Sequence, residues 1–434
     1  MTDFAIGLSG IGAMFILMIL RTPVGMAMLA VGFVGTWVLS GGRAANALFL
    51  TETFSAVSNY SLTVIPLFIL MGNIASVAGF SKGLYDAAFA WVGRMPGGLA
   101  SASILGCASF SAVSGSSVAT AVTIGKVALP EMKRFGYSSS LATGAVAAGG
   151  TLGFLIPPST GFVIYAILTE QSIGQLFMAG ILPGLLLTGL FIFTVLIVTL
   201  RDPAAGPRGP RMPFGERVAA TLRALPLILV IIVSIGGIYL GVFTPVEAAG
   251  IGAGLVVMMA LFTGKLTLRS ATLALSDTVR TTAMLYLIII GASVLNPFLA
   301  LTDLPGTLGE AMTSLGLGPY GVLLLIVLAY LVLGTFMDGL AMLVVTIPIF
   351  FPIVVGMGFD PIWFGVIAVV MIEMGMITPP VGMNVFVVKG IAQDVPMSTI
   401  FRGVLPFWLA MGLGLLLMVL FPQTALLIPQ AMFG

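Results

Sequence analysis

Apolar residues run along this chain in long blocks, and the block lengths set the first expectations. A span across a bilayer needs about 20 mostly apolar residues. Stretches 4–20, 24–40, 61–80, 177–200, 225–243, 246–263, 283–301 and 403–421 each fit one span. Two more, 138–169 and 362–391, are interrupted by paired prolines, in "GFLIPPSTGFVI" (153–164) and "GMITPPVGMNVF" (375–386). Proline removes a backbone donor and clashes with the preceding turn, at about 3 kcal/mol or more inside a helix. Both stretches therefore predict broken helices. Regions 98–130 and 318–356 are too long for one span, and each has a polar or glycine-rich interruption, "SAVSGSS" (111–117) and "LGTFMDG" (333–339). They predict re-entrant helical hairpins, because backbone leaves helical geometry at membrane depth only where protein or a water-filled cavity satisfies it. Two mixed stretches, 43–58 and 264–281, predict interfacial amphipathic arms or plain connecting loops.

Composition turns this pattern into a class. Only 7% of residues are charged, against about 25% in soluble chains, and the mean hydropathy is +1.19. The expectation is an all-α integral membrane protein. With no histidine and a single cysteine, Cys107, histidine proton relays and an intramolecular disulfide are excluded, and no metal cluster is suggested. A net charge of +2 points to no nucleic-acid partner. No basic segment precedes the first apolar run, so 4–20 is read as a retained helix rather than a cleaved signal. The loop 201–223 holds Arg201, Arg208, Arg211, Arg217 and Arg223 against Asp202 and Glu216, which predicts a cytoplasmic location. Threading outward puts both termini in the periplasm and leaves Arg43 alone of the 17 basic residues outside. Topologies without the hairpins scatter the basic residues.

The chain also repeats itself. "TPVGMA" (22–27) recurs as "TPVEAA" (244–249), and Pro157-Pro158 recurs as Pro379-Pro380, 222 residues on (379 − 157). Gly153 and Gly375 share that offset, as do Pro130 and Pro352, while "GILP" (180–183) and "GVLP" (403–406) differ by 223. In the predicted topology the two halves face opposite ways. Inverted repeats with paired discontinuous helices mark secondary transporters with a midplane site.

The interruptions carry the candidate chemistry. At the first tip, Ser114, Gly115, Ser116 and Ser117 offer hydroxyls and carbonyls to a hard cation and helix N-termini to an anion. The alternative is a serine-rich packing face. The first break leaves carbonyls near Gly153–Ile156 without helical donors, and Ser159 and Thr160 can cap the next half-helix or reach a ligand. Asp338 lies deep in an apolar region, where an acid is a functional candidate by default; it can also cap the following helix. At the second break, Gly375, Met376 and Thr378 precede the prolines and Asn384 follows them. Glu373 is the other intramembrane acid, suited to an interhelical hydrogen bond or to coupling. Glu247, beside Thr244-Pro245, reads as interfacial and structural. No lysine or arginine falls clearly at the midplane, so an anionic substrate would depend on helix dipoles, hydroxyls and bound Na+.

At these motifs the chain resembles the large membrane (M) subunit of tripartite ATP-independent periplasmic (TRAP) transporters, within the wider ion-transporter superfamily. The stretches that carry the resemblance are "SAVSGSSVATAVTIG" (111–125), "GTLGFLIPPS" (150–159), "GTFMDGLAM" (334–342) and "EMGMITPPVGMNVFV" (373–387). The resemblance implies a Na+-driven importer of organic acids, served by a separate small membrane (Q) subunit and a periplasmic substrate-binding (P) protein in the bacterial inner membrane. It implies an elevator mechanism, no cofactor, and Na+ as the coupling ion. The first Na+ site would use Ser114, Gly115, Ser116, Ser117 and Gly153. The second would use Gly334, Asp338, Gly375, Met376 and Thr378. Substrate contacts would fall at Ala112, Ser114, Ser159, Thr160 and Asn384. Sialic-acid members are expected to have a serine where this chain has Ala112, and to offer an arginine, so a C4-dicarboxylate-like or other carboxylate or sulfonate substrate is favoured. The implied division is 1–97 scaffold and arm, 98–176 first hairpin and broken helix, 177–224 scaffold helix and cytoplasmic loop. The second half follows as 225–317 scaffold and arm, 318–397 second hairpin and broken helix, 398–434 C-terminal helix. Competing readings are a channel, which the repeat disfavours; an intramembrane serine enzyme, which lacks a base for Ser114; and a Na+/carboxylate transporter needing no binding protein.

Overall fold

Each apolar block becomes helix, and the breaks fall at the prolines, glycines and serines. The computed structural model describes residues 2–433, and no β-strand occurs among them. The first half comprises α1 (Asp3–Ile19), α2 (Val24–Ser40), α3 (Gly42–Ser58), α4 (Val64–Val77), α5 (Phe80–Val92), α6 (Gly98–Ser114), α7 (Ser117–Arg134), α8 (Ser139–Thr151), α9 (Thr160–Thr169) and α10 (Ile173–Arg201). The second comprises α11 (Phe214–Tyr239), α12 (Pro245–Phe262), α13 (Leu268–Leu301), α14 (Leu304–Ser314), α15 (Pro319–Gly334), α16 (Gly339–Gly356), α17 (Pro361–Gly375), α18 (Met383–Ile391), α19 (Met397–Leu420) and α20 (Gln423–Phe433). Among the described residues, 7 helical segments are long and apolar enough to cross a bilayer. Helix starts recur down the chain: α7 to α16 and α8 to α17 are both 222 residues apart (339 − 117 and 361 − 139), and α9 to α18 is 223 (383 − 160).

Two helical hairpins stand out. α6 and α7 fold back on each other, so that their far ends meet where the Leu99 amide donates to the Tyr137 hydroxyl at 3.0 Å. The loop after α10 stitches this base together: Gly97 N donates to Gly206 O and Ser138 N to Ala205 O, each at 3.0 Å. In the second hairpin, the Thr346 hydroxyl of α16 bonds the Tyr330 hydroxyl of α15 at 2.7 Å. The most buried helices are α6, α8, α9 and α17, one arm of the first hairpin and three of the four half-helices at the breaks. Every residue of α17 from Ile362 to Gly375 is buried, as is every residue of α8 from Leu141 to Thr151. In α3, by contrast, only Ala45 and Ala56 are buried, and large side chains such as Phe54, Phe262 and Leu268 are exposed, as lipid-facing positions would be.

Small residues set the closest helix approaches, as expected where no hydrophobic effect drives helices together in lipid. A Cβ on Gly25 of α2 would sit 2.5 Å from the Leu287 carbonyl oxygen of α13, and one on Gly32 would sit 2.6 Å from that of Val294. Glu247 closes a capping box with Thr244 at the start of α12, accepting its amide at 2.8 Å.

Two features depart from the sequence reading. Stretches 264–281 and 283–301 are not arm and span but one 34-residue helix, α13. Nothing stops it, because no glycine or proline occurs from Leu268 to Ile290. The first arm does form a separate helix, α3, ended by Asn59, whose side chain accepts from Ser61 N. The short helices α5, α14 and α20 were not expected. Lys82 and Asp86 in α5, and Gln423 and Gln430 in α20, keep these segments from reading as apolar runs.

Candidate functional site

The first tip and the first break are built to meet. α6 ends at Ser114, Gly115 turns the chain at φ +61°, and extended Ser116 caps α7 by accepting from Ala119 N at 3.4 Å. After Pro157-Pro158, Ser159 caps α9 by accepting from Phe162 N at 3.3 Å, and its hydroxyl donates to the Phe154 carbonyl. Thr160 then ties break to tip: its amide and hydroxyl both donate to the Gly115 carbonyl, at 3.2 and 2.8 Å. A side chain at Gly153 would collide with the tip, since its Cβ would sit 2.5 Å from the Ser116 carbonyl oxygen and 2.7 Å from Thr120 Oγ1. The Ser114 hydroxyl pairs with Thr120 Oγ1 at 2.7 Å, and Ala112 is buried on α6.

The second half repeats the arrangement with different chemistry. Asp338 caps α16, its Oδ1 accepting from Leu340 N at 3.0 Å and Ala341 N at 3.1 Å. Gly334, ending α15, packs on Gly375, ending α17; a Cβ on either would lie 2.6–2.7 Å from the other's Cα. Across Pro379-Pro380, Asn384 N donates to the Met376 carbonyl at 3.1 Å. The Thr378 hydroxyl donates to Met374 O at 2.6 Å and accepts from Trp408 Nε1 at 2.9 Å. The Asn384 side chain is wholly buried, and neither its oxygen nor its nitrogen has a hydrogen-bond partner.

The first tip and the helix before the second break are joined directly. The Ser117 hydroxyl, opening α7, donates to Glu373 Oε1 of α17. Beside this bond lies a cavity of about 70 Å³, whose wall includes Ser116, Thr160, Asp338, Met376 and Phe154. No lysine or arginine lines it. The structure thus gathers Ser116, Ser117, Thr160, Asp338 and Met376 around one space. Ser114, Ser159, Gly334, Gly375, Thr378 and Asn384 stand behind it, fixing the tips and breaks. The expected free carbonyls are partly engaged: Phe154 O accepts from Ser159, Gly115 O from Thr160, and Met374 O from Thr378. Glu373 makes an interhelical hydrogen bond, one of the two roles expected of it, but its partner Ser117, and Phe154 in the cavity wall, were missed. No local signal marks a hydrogen bond between residues 256 positions apart.

Ser159→Ala removes both a cap and the bond to Phe154. The expected outcome is a loss of about 1 kcal/mol of stability, read as a lower unfolding temperature in detergent; an unchanged unfolding temperature would mean that neither bond holds the break.

Comparison with known proteins decides the family. The profile described as "Tripartite ATP-independent periplasmic transporter, DctM component" matches residues 11–424. The chain belongs to the DctM family. Among DctM relatives, the C4-dicarboxylate TRAP transporter large permease protein of Pseudomonas aeruginosa is 38% identical over 380 residues, 87% of this chain and 88% of that one. The sialic acid TRAP transporter large permease protein of Vibrio cholerae is 34% identical, over 88% of this chain and 89% of the relative. The ectoine TRAP transporter large permease protein of Halomonas elongata is 32% identical, over 98% of this chain and 99% of the relative. The crystal structure of the Alcanivorax borkumensis YdaH transporter covers 90% of this chain and is itself covered to 88%, with a TM-score of 0.60 at 17% identity, a likeness of fold. DctM membership and the apolar helices make this a multi-pass membrane protein of the TRAP large-permease type. The relatives are transport proteins, which supports transport rather than catalysis.

Proposed function

We propose that this chain is the large permease subunit of a Na+-coupled importer of small organic acids in the bacterial inner membrane. The observation that carries the reading is the convergence of both tips and both breaks on one cavity. The near-constant offset between α7–α9 and α16–α18 supports a repeat, which we read as inverted, with re-entrant hairpins whose tips approach the midplane from opposite sides. Both termini then face the periplasm. The hairpins and broken helices form the transport domain of an elevator, sliding against a scaffold anchored by the α2–α13 contact.

Na+ would be held at two places. One lies between the Ser114–Ser117 tip and Gly153. The other lies between Gly334, Asp338, Gly375, Met376 and Thr378. An ion at either place would lower the cost of an anionic substrate beside it, so each would bind better with the other present. The relatives are TRAP permeases for C4-dicarboxylates, sialic acid, isethionate and ectoine. Ala112, and a cavity wall without lysine or arginine, favour a C4-dicarboxylate-like or other small carboxylate or sulfonate substrate here. Substrate contacts are assigned to Ser114, Ser159, Thr160 and Asn384 with Ala112. A periplasmic binding protein would deliver the ligand, and a separate small membrane subunit would complete the complex. The isethionate TRAP transporter permease protein DctMQ of Oleidesulfovibrio alaskensis is matched over 54% of its length.

Flux into proteoliposomes tests the whole. Uptake is expected only with an inward Na+ gradient, the small subunit and the binding protein together. Uptake without Na+ would refute coupling, and uptake without the binding protein would favour a standalone Na+/carboxylate transporter.

A further inference from the structure

We propose that Gly72 and Ser76 of α4 form a catch for the first tip: they hold it against the scaffold in this structure and release it as the transport domain slides. α4 belongs to the scaffold by its packing. The Asn73 side chain donates to the Thr278 hydroxyl of α13 at 3.0 Å, and a Cβ on Gly252 of α12 would sit 2.7 Å from Met71 Sδ. The same helix is pressed against the tip. A Cβ on Gly72 would sit 2.9 Å from Ser114 Cα and 3.1 Å from the Val113 carbonyl oxygen. Both are backbone atoms, so only glycine lets the tip come this close. One turn on, the Ser76 hydroxyl pairs with Thr123 Oγ1 of α7 at 3.2 Å.

These contacts follow one another along α7. Thr120 is bonded to Ser114 at the tip, and Thr123 is bonded to Ser76 a turn further on. One turn beyond that, Lys126 and Val127 line a cavity of about 810 Å³ with Lys82 and Asp86 of α5 and Arg223 of α11. The hydroxyl pair therefore stands between the tip and this cavity. Its chemistry suits a contact that must open. A hydrogen bond between two neutral hydroxyls is worth little net. Once the pair parts, each hydroxyl can turn to the carbonyl four residues back in its own helix, that of Gly72 or Ala119. No polar group is then left unpaired, and the glycine contact opens without breaking any bond. The contact itself stands on the geometry, whereas its release during transport rests on the elevator reading.

The test is a disulfide across this seam, from Ser76→Cys with Thr123→Cys in a Cys107→Ala background, with the two thiols in place of hydroxyls already in contact. In proteoliposomes with the small subunit and the binding protein, oxidation is expected to consume both thiols and to cut uptake by more than about tenfold, as blocking a conformational step of the cycle does. Reductant is expected to restore uptake, and either cysteine alone is expected to be insensitive to oxidant. Uptake unchanged by the closed disulfide would mean that α4 travels with the tip, which overturns the catch and leaves an elevator with its boundary elsewhere. Failure of the disulfide to form overturns the catch as well. If the double variant is inactive when reduced, the rate of cross-linking in the purified protein decides. Adding Gly72→Ala is expected to slow it several-fold by holding the tip off α4, and an equal rate overturns the catch. Uptake that stops on cross-linking but needs no Na+ refutes coupling and leaves the catch standing.

Discussion

Replacing Gly375 with alanine is expected to cut Na+-driven uptake by about ten- to a hundredfold, the change that follows from overpacking of about 1–3 kcal/mol at the ion site. The new Cβ would sit 2.7 Å from Gly334 Cα and 3.2 Å from the Tyr330 carbonyl oxygen. Both neighbours are backbone, so neither can rotate out of the way. α15 must move off α17, and the second tip leaves the second break. The same methyl at Gly412 of α19 is the matched control. There it would meet only the Met374 methyl, at 3.4 Å, and a thioether side chain yields easily. Uptake by Gly412→Ala is expected to stay near that of the wild type. Comparable uptake by the two variants would mean that the Gly334–Gly375 approach does not set the ion site. Measuring protein recovered from the membrane alongside uptake separates a lost site from a lost fold.

The places where this molecule breaks its helices were legible because breaking residues are chemically distinctive. Pro157-Pro158 and Pro379-Pro380 cannot continue a helix, and "SGSS" and "MDG" hold the turn and cap residues that end one helix and begin the next. The elements that escaped notice have no such punctuation. α13 runs uninterrupted because its polar first half, through Ser276, Asp277 and Arg280, lacks any residue that stops a helix. Polarity suggested a boundary, but only backbone chemistry makes one. α5 and α20 are short and amphipathic, below the length at which hydropathy separates a helix from a loop.

The site divides along similar lines. Its members near a break were identified because the break itself drew attention to them. What remained hidden was which of them touch. Ser117 and Glu373 lie on different helices in different halves, and their bond follows from how α7 packs near α17. Likewise, Ser159 was read as a helix cap or a ligand contact and does cap α9, and Thr378 was read as a hydroxyl offered to an ion; the hydroxyl of each also donates to a nearby backbone carbonyl. That outcome is physical: a break that strands a carbonyl in a buried setting is stabilised by the nearest hydroxyl, since an unpaired buried acceptor is costly.

Asp338→Asn is expected to weaken Na+ dependence, raising half-saturating Na+ on the order of tenfold, while leaving the fold intact. The two roles of this residue can be separated because they draw on different properties of the side chain. Capping α16 needs an acceptor for Leu340 N and Ala341 N, and asparagine caps about as well as aspartate. Attracting a cation into the cavity needs the negative charge, which asparagine lacks. Asp338→Ala loses both, and should show the same Na+ shift plus destabilisation of about 1 kcal/mol. The pair of variants therefore separates cap from charge: a Na+ curve unchanged in Asp338→Asn removes Asp338 from the ion site and leaves it a cap.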